Sequence, residues 1–306
     1  MHVTKLEDYI FMIDLEPGGL DNFIASYILR GKKTAIIETG PTNSIPNLVM
    51  GLKKIGVKPE DVAYVAVSHI HLDHGGGVGT LLKHLPNAKA VVHTKGAPHL
   101  ANPNKLWQQS KMVLGKIADM YGPPTPVPAT RIIPGTDGMT FDLGNDVSFN
   151  VLETLGHASH HQSYFEERGD AVFPGDAAGI YLKQFDTVVP TTPAPFRLDS
   201  ALSSLEKLAA LKPRGLYYSH FGPATEPARK LQAYANQLEL WAKIAVRGLE
   251  QGQSVEEIRD RIVAADVSLQ KAEQFIRAHP IYSETVLSNS VQGFIDFAQK
   301  SRAEKA

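Results

Sequence analysis

The 306-residue chain contains no cysteine. Disulfide bonds and thiolate ligands are therefore excluded, and any bound metal has to be held by histidine and carboxylate groups. Positive and negative charges are nearly balanced, with 31 Lys and Arg residues and 32 Asp and Glu residues. This balance argues against a dedicated nucleic-acid binder, which usually carries a basic surplus or stripe.

Long apolar runs are also missing. The longest, such as residues 62–67, are far too short to cross a bilayer. The first residues lack the charged and then apolar layout of a signal peptide. We therefore expect a cytoplasmic protein with no membrane partner. With 43% hydrophobic residues, the chain can bury the core of one large domain, with or without an appendage.

The most informative segment is a run of metal-ligand types, in which His69, His71, Asp73 and His74 lie between an apolar strand and a glycine cluster. In a continuing strand, alternate side chains point the same way, which predicts that His69, His71 and Asp73 share one face. A turn at His74 would let Asp73 and His74 face a second ion. Two neutral imidazoles with an oxygen ligand favour zinc or iron over calcium or magnesium.

Hydrophobic periodicity predicts strands followed by helices in both halves of the chain. The predicted strands cover residues 9–15, 23–29, 34–37, 62–68, 90–93, 131–133, 147–154, 163–166, 171–173 and 215–219. The predicted helices cover residues 44–55, 104–121 and 200–211, and the pattern is helical from 226 almost to the end. We predict a catalytic domain at residues 1–250. The helical extension at 251–306 would pack on this body or on a partner subunit.

Three further metal-ligand types follow strands in the second half. His157, Asp176 and His220 each come just after an apolar run and beside a glycine that lets the chain turn. Loops at strand ends are where binding and catalytic residues are expected.

Taken in order, these motifs resemble the metallo-β-lactamase-fold hydrolase superfamily, which includes lactonases, glyoxalase II and phosphoesterases. The resemblance extends from about residue 9 to about residue 226. It implies an α/β fold, a four-layered αββα sandwich with the site at one edge between the sheets. It also implies two divalent metal ions per chain, zinc or iron with manganese as an option. In that scheme the first ion is held by His69, His71 and His157, the second by Asp73, His74 and His220, and Asp176 bridges both.

The resemblance assigns roles to two more positions. His161 matches the second histidine of the family's Gly-His-Thr-Pro-Gly-His segment and would support the ligands. Glu38 falls where family members usually carry Asp and would orient a ligand histidine by a hydrogen bond. Asp73 would be catalytic, orienting a hydroxide and then carrying a proton to the leaving group. The remaining histidines are interpreted as ordinary surface or core residues: His2, His84, His93, His99, His160 and His279.

The predicted function is a dinuclear hydrolase that uses a metal-bridging hydroxide to cleave ester-type bonds of small molecules. Two divalent ions lower the pKa of bound water and polarise a carbonyl or phosphoryl oxygen. Lactones and phosphoesters are the predicted substrates, and a broad range stays open. Asp176 argues against a dedicated β-lactamase, since those enzymes generally lack the bridging Asp. A glyoxalase II-like thioesterase is an alternative, although residues 177–181 differ from that subfamily. The alternative of another class is a non-catalytic, metal-stabilised scaffold that assembles through its helical tail.

The substrate pocket is less well marked. The segment 104–121 reads either as core or as a lid over the site. Tyr181 is a candidate donor to a developing oxyanion. The pocket candidates are Trp107, Tyr181, Phe185, Phe196 and Phe221. A small-molecule substrate is the expected partner, and the C-terminal helices leave homo-oligomerisation open.

Overall fold

Two large β-sheets dominate the part of the protein up to Ala224, in a computed structural model that describes residues 2–303. The strands in this part of the chain are β1 (Val3–Lys5), β2 (Ile10–Asp14), β3 (Ala25–Arg30), β4 (Thr34–Ile37), β5 (Val62–Ala66), β6 (Lys89–His93), β7 (Ile132–Gly135), β8 (Thr140–Gly144), β9 (Val147–Glu153), β10 (Gln162–Glu166), β11 (Ala171–Phe173), β12 (Ile180–Leu182), β13 (Thr187–Val189), β14 (Gly215–Tyr218) and β15 (Gly222–Ala224).

Helices connect the strands and form most of the C-terminal region. They are α1 (Ile45–Lys54), α2 (Leu72–Gly75), α3 (Val78–Leu82), α4 (Ala97–Ala101), α5 (Asn104–Leu114), α6 (Lys116–Tyr121), α7 (Leu198–Ala210), α8 (Pro227–Glu250), α9 (Val255–Ala265), α10 (Val267–Ala278), α11 (Tyr282–Glu284) and α12 (Ser290–Ala303), with a π-helical stretch at Thr285–Asn289. None of the helices between residues 2 and 303 is long and apolar enough to span a membrane.

The first sheet runs in the order β1 to β7. Its strands are antiparallel up to β4 and parallel from β4 to β7. Strand β5 lies between β4 and β6, with Ala66 paired to Ile37 on one side and Val91 on the other. The carboxyl ends of parallel strands meet at one edge of a sheet. The segments that begin at Glu38 and at Val67 therefore leave the sheet side by side.

The second sheet has the order β15-β14-β11-β10-β9-β8. In β9, Val147, Phe149 and Val151 are buried while the residues between them are partly exposed, as alternation along a strand requires. Side chains of both sheets form one buried core, in which the Tyr27 and Phe173 ring centroids lie 5.1 Å apart. Burial of these apolar side chains holds the two sheets together.

The described chain divides into two compact units. The first holds the residues up to Glu153, together with His160–Gly175 and Leu216–Pro223, and includes both sheets except Gly215 and Ala224. The second holds Thr154–Ser159, Asp176–Gly215 and the residues from Ala224 onward. It consists mainly of the β12–β13 hairpin and helices α7 to α12.

Helix α8 is the centre of the second unit, where it packs against α7, α9 and α12. The apolar positions of the C-terminal tail are buried in this unit: Leu269, Ala272, Ile276, Val286, Leu287, Val291, Phe294 and Ile295. The predicted α/β architecture with two sheets and C-terminal helices is thus confirmed. The predicted boundary at residue 250 stays a prediction.

One local prediction was wrong. Strand β5 ends at Ala66, and Asp73 lies on the helical turn α2 rather than on a continuing strand. The polar segment after β5 leaves the sheet, so strand alternation does not apply there. The predicted helical stretch at 104–121 is confirmed, and it consists of two helices because Gly115, with φ 53 and ψ −120, interrupts it.

Candidate metal centre

The segment from His69 to His74 folds as a short loop followed by the helical turn α2. The turn packs tightly against the loop, since a Cβ on Gly75 would lie 2.9 Å from the His69 carbonyl oxygen. His69 Nε2 faces His71 Nδ1 at 2.8 Å. The ring centroids of His69 and His74 are 4.2 Å apart. Three imidazoles therefore converge within six residues of sequence.

A second cluster joins this segment to the end of β14. Asp73, His74 and His220 each offer one ligand atom, and these atoms lie within 4.8 Å of one another. Asp73 Oδ2 is 3.9 Å from His74 Nε2 and 3.6 Å from His220 Nε2. The two histidine side chains are almost fully buried, whereas that of Asp73 is 23% exposed. Asp73 is thus the member of this cluster that solvent reaches most easily.

The second unit brings together the other two predicted ligands. His157 Nε2 lies 3.4 Å from Asp176 Oδ2, and both side chains are buried. His157 Nδ1 donates to the Thr191 carbonyl oxygen at 2.8 Å. Thr191 Oγ1 is also 3.5 Å from Asp176 Oδ2. Thr191, two residues after β13, therefore contacts both members of this pair.

Hydrogen bonds at Nδ1 fix which nitrogen the histidines present to a ligand. His220 Nδ1 donates to the Phe23 carbonyl oxygen at 2.8 Å, as His157 does to Thr191. A carbonyl can only accept, so both rings carry the proton on Nδ1 and leave a lone pair on Nε2. Such bonds to the distal nitrogen are typical of metal-ligating histidines.

A buried polar network backs the clusters of the first unit. Ser68 Oγ lies 2.9 Å from His69 Nδ1 and 3.5 Å from His74 Nδ1. Glu38 Oε1 accepts from Ser68 N at 3.2 Å and from Ser219 Oγ at 3.3 Å. Glu38 Oε2 is 3.5 Å from His74 Nδ1. The carboxylate of Glu38 thus adjoins His74, a predicted ligand, and its role in orienting that ring stays a prediction. The contacts of Ser68 and Ser219 were not predicted from the sequence.

Two histidines of the segment 160–161 adjoin the first cluster. The His161 ring is buried, with its centroid 5.1 Å from that of His69. The His160 ring stacks on His69 at 6.2 Å and meets His71 edge-on at 5.7 Å. His160 was predicted to be an ordinary surface or core residue. The sequence did mark this position, since the family segment has glycine where this chain has His160.

The aromatic pocket candidates lie in different surroundings, and their roles stay predictions. Phe221 belongs to the core of the first unit. In the second unit, Phe196 packs on Phe294 and Phe185 on Phe275. Trp107 is half-buried on α5.

Tyr181 has a strong partner in its own unit. Its hydroxyl donates to Asp186 Oδ1 at 2.9 Å. Burial, and then the bond to Asp186, raise the pKa of Tyr181 to about 12. The hydroxyl therefore stays protonated at neutral pH, and a role at an oxyanion would require it to leave Asp186.

The donor set fits divalent zinc or iron. Five imidazoles and two carboxylates make up the predicted ligands, and the chain has no thiolate to compete. Nitrogen and oxygen donors of this kind suit zinc and iron better than calcium or magnesium. The His and Asp clusters are typical of a dinuclear metal site of this family of folds.

Comparison with known proteins adds lactone-cleaving relatives. The N-acyl homoserine lactonase AttM of Rhizobium radiobacter is 31% identical over 112 residues, which are 37% of this chain and 38% of that protein. An N-acyl homoserine lactonase of a Bacillus species is 27% identical over 187 residues, covering 60% of this chain and 64% of that protein. The chain therefore matches less than two thirds of the length of either relative.

A solved structure agrees over nearly the whole chain. The crystal structure of an archaeal metallo-beta-lactamase superfamily protein from Sulfolobus tokodaii gives a TM-score of 0.69 at 24% identity, covering 94% of this chain and 98% of that one. This likeness supports the fold alone. The family model of the metallo-beta-lactamase superfamily matches residues 20–220, a range that contains all seven predicted ligands. The chain belongs to the metallo-beta-lactamase superfamily.

Proposed function

We propose that the protein is a dinuclear metal-dependent hydrolase that cleaves ester-type bonds of small molecules, with lactones as its main substrate class. The observation that carries the proposal is the buried cluster of Asp73, His74 and His220, in which His220 is held by its distal nitrogen and Asp73 is open to solvent. A site that only stabilises the fold is usually closed on all sides. A partly exposed carboxylate among buried imidazoles favours a catalytic site instead.

The ligand sets of the proposed dinuclear centre are those that the family resemblance implies. The family match includes both the first-unit ligands and the pair His157 and Asp176. In this proposal His69, His71 and His157 would hold one ion, Asp73, His74 and His220 would hold the other, and Asp176 would be a ligand of both. When bound, two such ions lower the pKa of water and polarise the substrate carbonyl.

Asp73 is proposed to transfer a proton from the attacking water to the leaving group. Water adds to the carbonyl carbon of the lactone while Asp73 accepts its proton, and the ring C–O bond then breaks. The proton passes from Asp73 to the alkoxide that leaves, so that a hydroxy acid is the product. Asp73 Oδ2 lies 3.9 Å from His74 Nε2 and 3.6 Å from His220 Nε2, close enough for the three side chains to bind the same ion. Glu38 and Ser68 orient the imidazoles behind it.

Lactones are favoured over the other ester-type substrates by the relatives, two of which are named as N-acyl homoserine lactonases. Phosphoesters stay second, because the same ligand set can serve either reaction. The cytoplasmic location predicted from the sequence is part of this proposal, as is assembly through the C-terminal helices. The scaffold alternative is disfavoured, because a site that only stabilises the fold does not need a partly exposed carboxylate such as Asp73.

The test is a substrate panel on protein of measured metal content. We expect about two metals per chain, and turnover of lactones above that of thioesters, phosphodiesters and phosphotriesters. Asp73→Asn should lower kcat by about 10²–10⁴-fold, the usual contribution of a general base, with an unchanged circular dichroism spectrum. Asp61→Asn, at an exposed position before β5, is the matched control.

Two results would contradict the proposal. Full wild-type activity after thorough chelation would exclude the metal-dependent mechanism. Metal-loaded protein that is inert across the panel would instead support the scaffold.

A further inference from the structure

The loop between β2 and β3 has unusual backbone at both ends. Glu16 (φ 44) and Asn22 (φ 52) both adopt the left-handed conformation. A residue with a side chain adopts it at a cost and keeps it only when the surroundings hold it there. Between them the chain makes a 3₁₀ turn at Pro17–Gly19. The loop therefore needs a fixed anchor.

Asp14, at the end of β2, is that anchor. Its side chain is buried, with the residue only 2% exposed. One carboxylate oxygen, Oδ1, accepts from Glu16 N at 3.2 Å, and the other, Oδ2, accepts from Asn22 N at 2.8 Å. A single carboxylate thus binds the two left-handed residues at opposite ends of the loop.

The far end of this loop reaches a predicted metal ligand. Phe23 follows Asn22, and its carbonyl oxygen accepts from His220 Nδ1 at 2.8 Å. The Phe23 ring also lies 5.3 Å from the His220 ring. Next to it, Ala25 N donates to the Ser219 carbonyl oxygen at 2.8 Å. The backbone on both sides of Ile24 is therefore bonded to the segment that presents His220.

We propose that Asp14 is a positioning residue for His220, acting through the backbone of Asn22 and the carbonyl of Phe23. The carboxylate fixes the direction of that carbonyl. The carbonyl in turn fixes the Nδ1–H tautomer and the ring orientation of His220. The inference rests on the proposed function only in taking His220 as a metal ligand.

Exposed polar residues in the same loop give a matched control. Asp21 is exposed, and its carboxylate accepts only from the Asn22 side chain among the bonds resolved here. Asp21→Ala therefore removes a charge of the same sign from the same loop and leaves the bonds of Asp14 and Phe23 in place. Asp14→Asn keeps the shape of the side chain and one of its two accepting oxygens.

The experiment measures zinc affinity by competition with a chelator, together with the ¹⁵N shifts of the His220 ring in metal-free protein. For Asp14→Ala we expect about 10–100-fold weaker binding of one of two zinc ions and a partial loss of the Nδ1–H signature. Asp14→Asn should lie between Asp14→Ala and wild type, and Asp21→Ala should match wild type. Where Asp14→Ala does not fold, Asp14→Asn decides.

The inference is overturned if Asp14→Asn and Asp14→Ala keep both zinc affinities and the ring shifts, or if Asp21→Ala changes them equally. Neither readout needs a substrate. Failure of the lactone panel on wild-type protein would therefore count against the proposed function and leave the positioning role intact.

Discussion

Ser68 illustrates how much of this site depends on side chains that are not ligands. Its hydroxyl lies between His69 Nδ1 at 2.9 Å and His74 Nδ1 at 3.5 Å, and its backbone N–H donates to Glu38. One small side chain thus supports histidines from both proposed ions. Bonds of this kind set the orientation and the basicity of a ligand.

Ser68→Ala should therefore weaken zinc binding at both positions. We expect affinities about 10–100-fold lower, the usual effect of removing such a partner, measured by chelator competition. Ser204→Ala is the control, because that serine is also buried but bonds only the Leu155 carbonyl among the contacts resolved here. Unchanged zinc affinity in Ser68→Ala would contradict the role assigned to its hydroxyl.

Asp186 makes a separate prediction about pH. The bond from buried Lys230, followed by those from Arg229 and Tyr181, lowers the pKa of Asp186 to about 2. The folded state then binds fewer protons than the unfolded chain between pH 3.8, the ordinary pKa of an aspartate, and about pH 2. Stability from this ion pair is present above that window and is lost as the pH falls through it.

Asp186→Asn should consequently flatten the dependence of the urea midpoint on pH between about 4 and 2, since the neutral amide has no proton to gain. Lys230→Met should have the same effect, because it removes the main cause of the shift. The effect is expected to be modest, as the Asp186 side chain is 53% exposed and solvent screens the pair. A slope identical to wild type in both variants would contradict this assignment.

At the scale of elements, helices α5 and α6 bear on two interpretations that the sequence left open: segment 104–121 as part of the core, or as a lid over the site. On α5, Leu106 is buried, but Met112 and Val113 are 78% and 61% exposed. On α6, Ala118 and Tyr121 are buried, and Asn43 Nδ2 donates to the Met120 carbonyl. Helix α6 therefore contributes side chains to the core, whereas the turn of α5 that contains Met112 and Val113 does not.

Substitutions on the two helices should differ accordingly. Tyr121→Ala should cost roughly 3–5 kcal/mol of unfolding free energy, as other large buried aromatic residues do. Met112→Lys should change it by less than about 0.5 kcal/mol, because its side chain is exposed. Urea denaturation measures both. A large destabilisation by Met112→Lys would mean that α5 is covered in solution.

The same comparison explains which parts of the fold could be predicted. Strands such as β2 and β9 have buried and exposed residues in alternation, or long apolar runs, and these signals are readable in sequence. Strands β1, β8, β12, β13 and β15 were missed, because β8 has only Phe141 and Leu143 buried and the other four strands have three residues each. The carbonyls of Phe23 and Thr191 could not be predicted, since a backbone oxygen has no sequence signal of its own.

For the whole molecule, the question is whether the segment after residue 250 is an addition or a necessary part. Trp241 on α8 is fully buried, and its ring lies 5.7 Å from that of Phe294 on α12. Its indole N–H donates to Asp266 at the start of α10. The core of α8 is therefore completed by residues that follow Glu250.

Truncation after Glu250 should unfold the second unit rather than release a separate domain. We expect dye binding by exposed apolar surface and a lower melting temperature, because Trp241 would lose its cover. Phe275→Ala, at a partly exposed position on α10, is a milder control. A truncated protein with wild-type melting and only a changed sedimentation coefficient would favour the predicted 1–250 domain with a dispensable extension.

The parallel half of the first sheet also has a consequence for the kinetics of folding. Strands β4, β5, β6 and β7 pair in parallel, so each pairing needs a crossover connection and joins residues far apart in the chain. Non-local pairing of this kind is slow, because chain entropy is lost before the contacts form. The histidines after β5 should therefore gain zinc affinity late in refolding. The rate should be that at which the parallel strands pair, not the faster rate of helix formation.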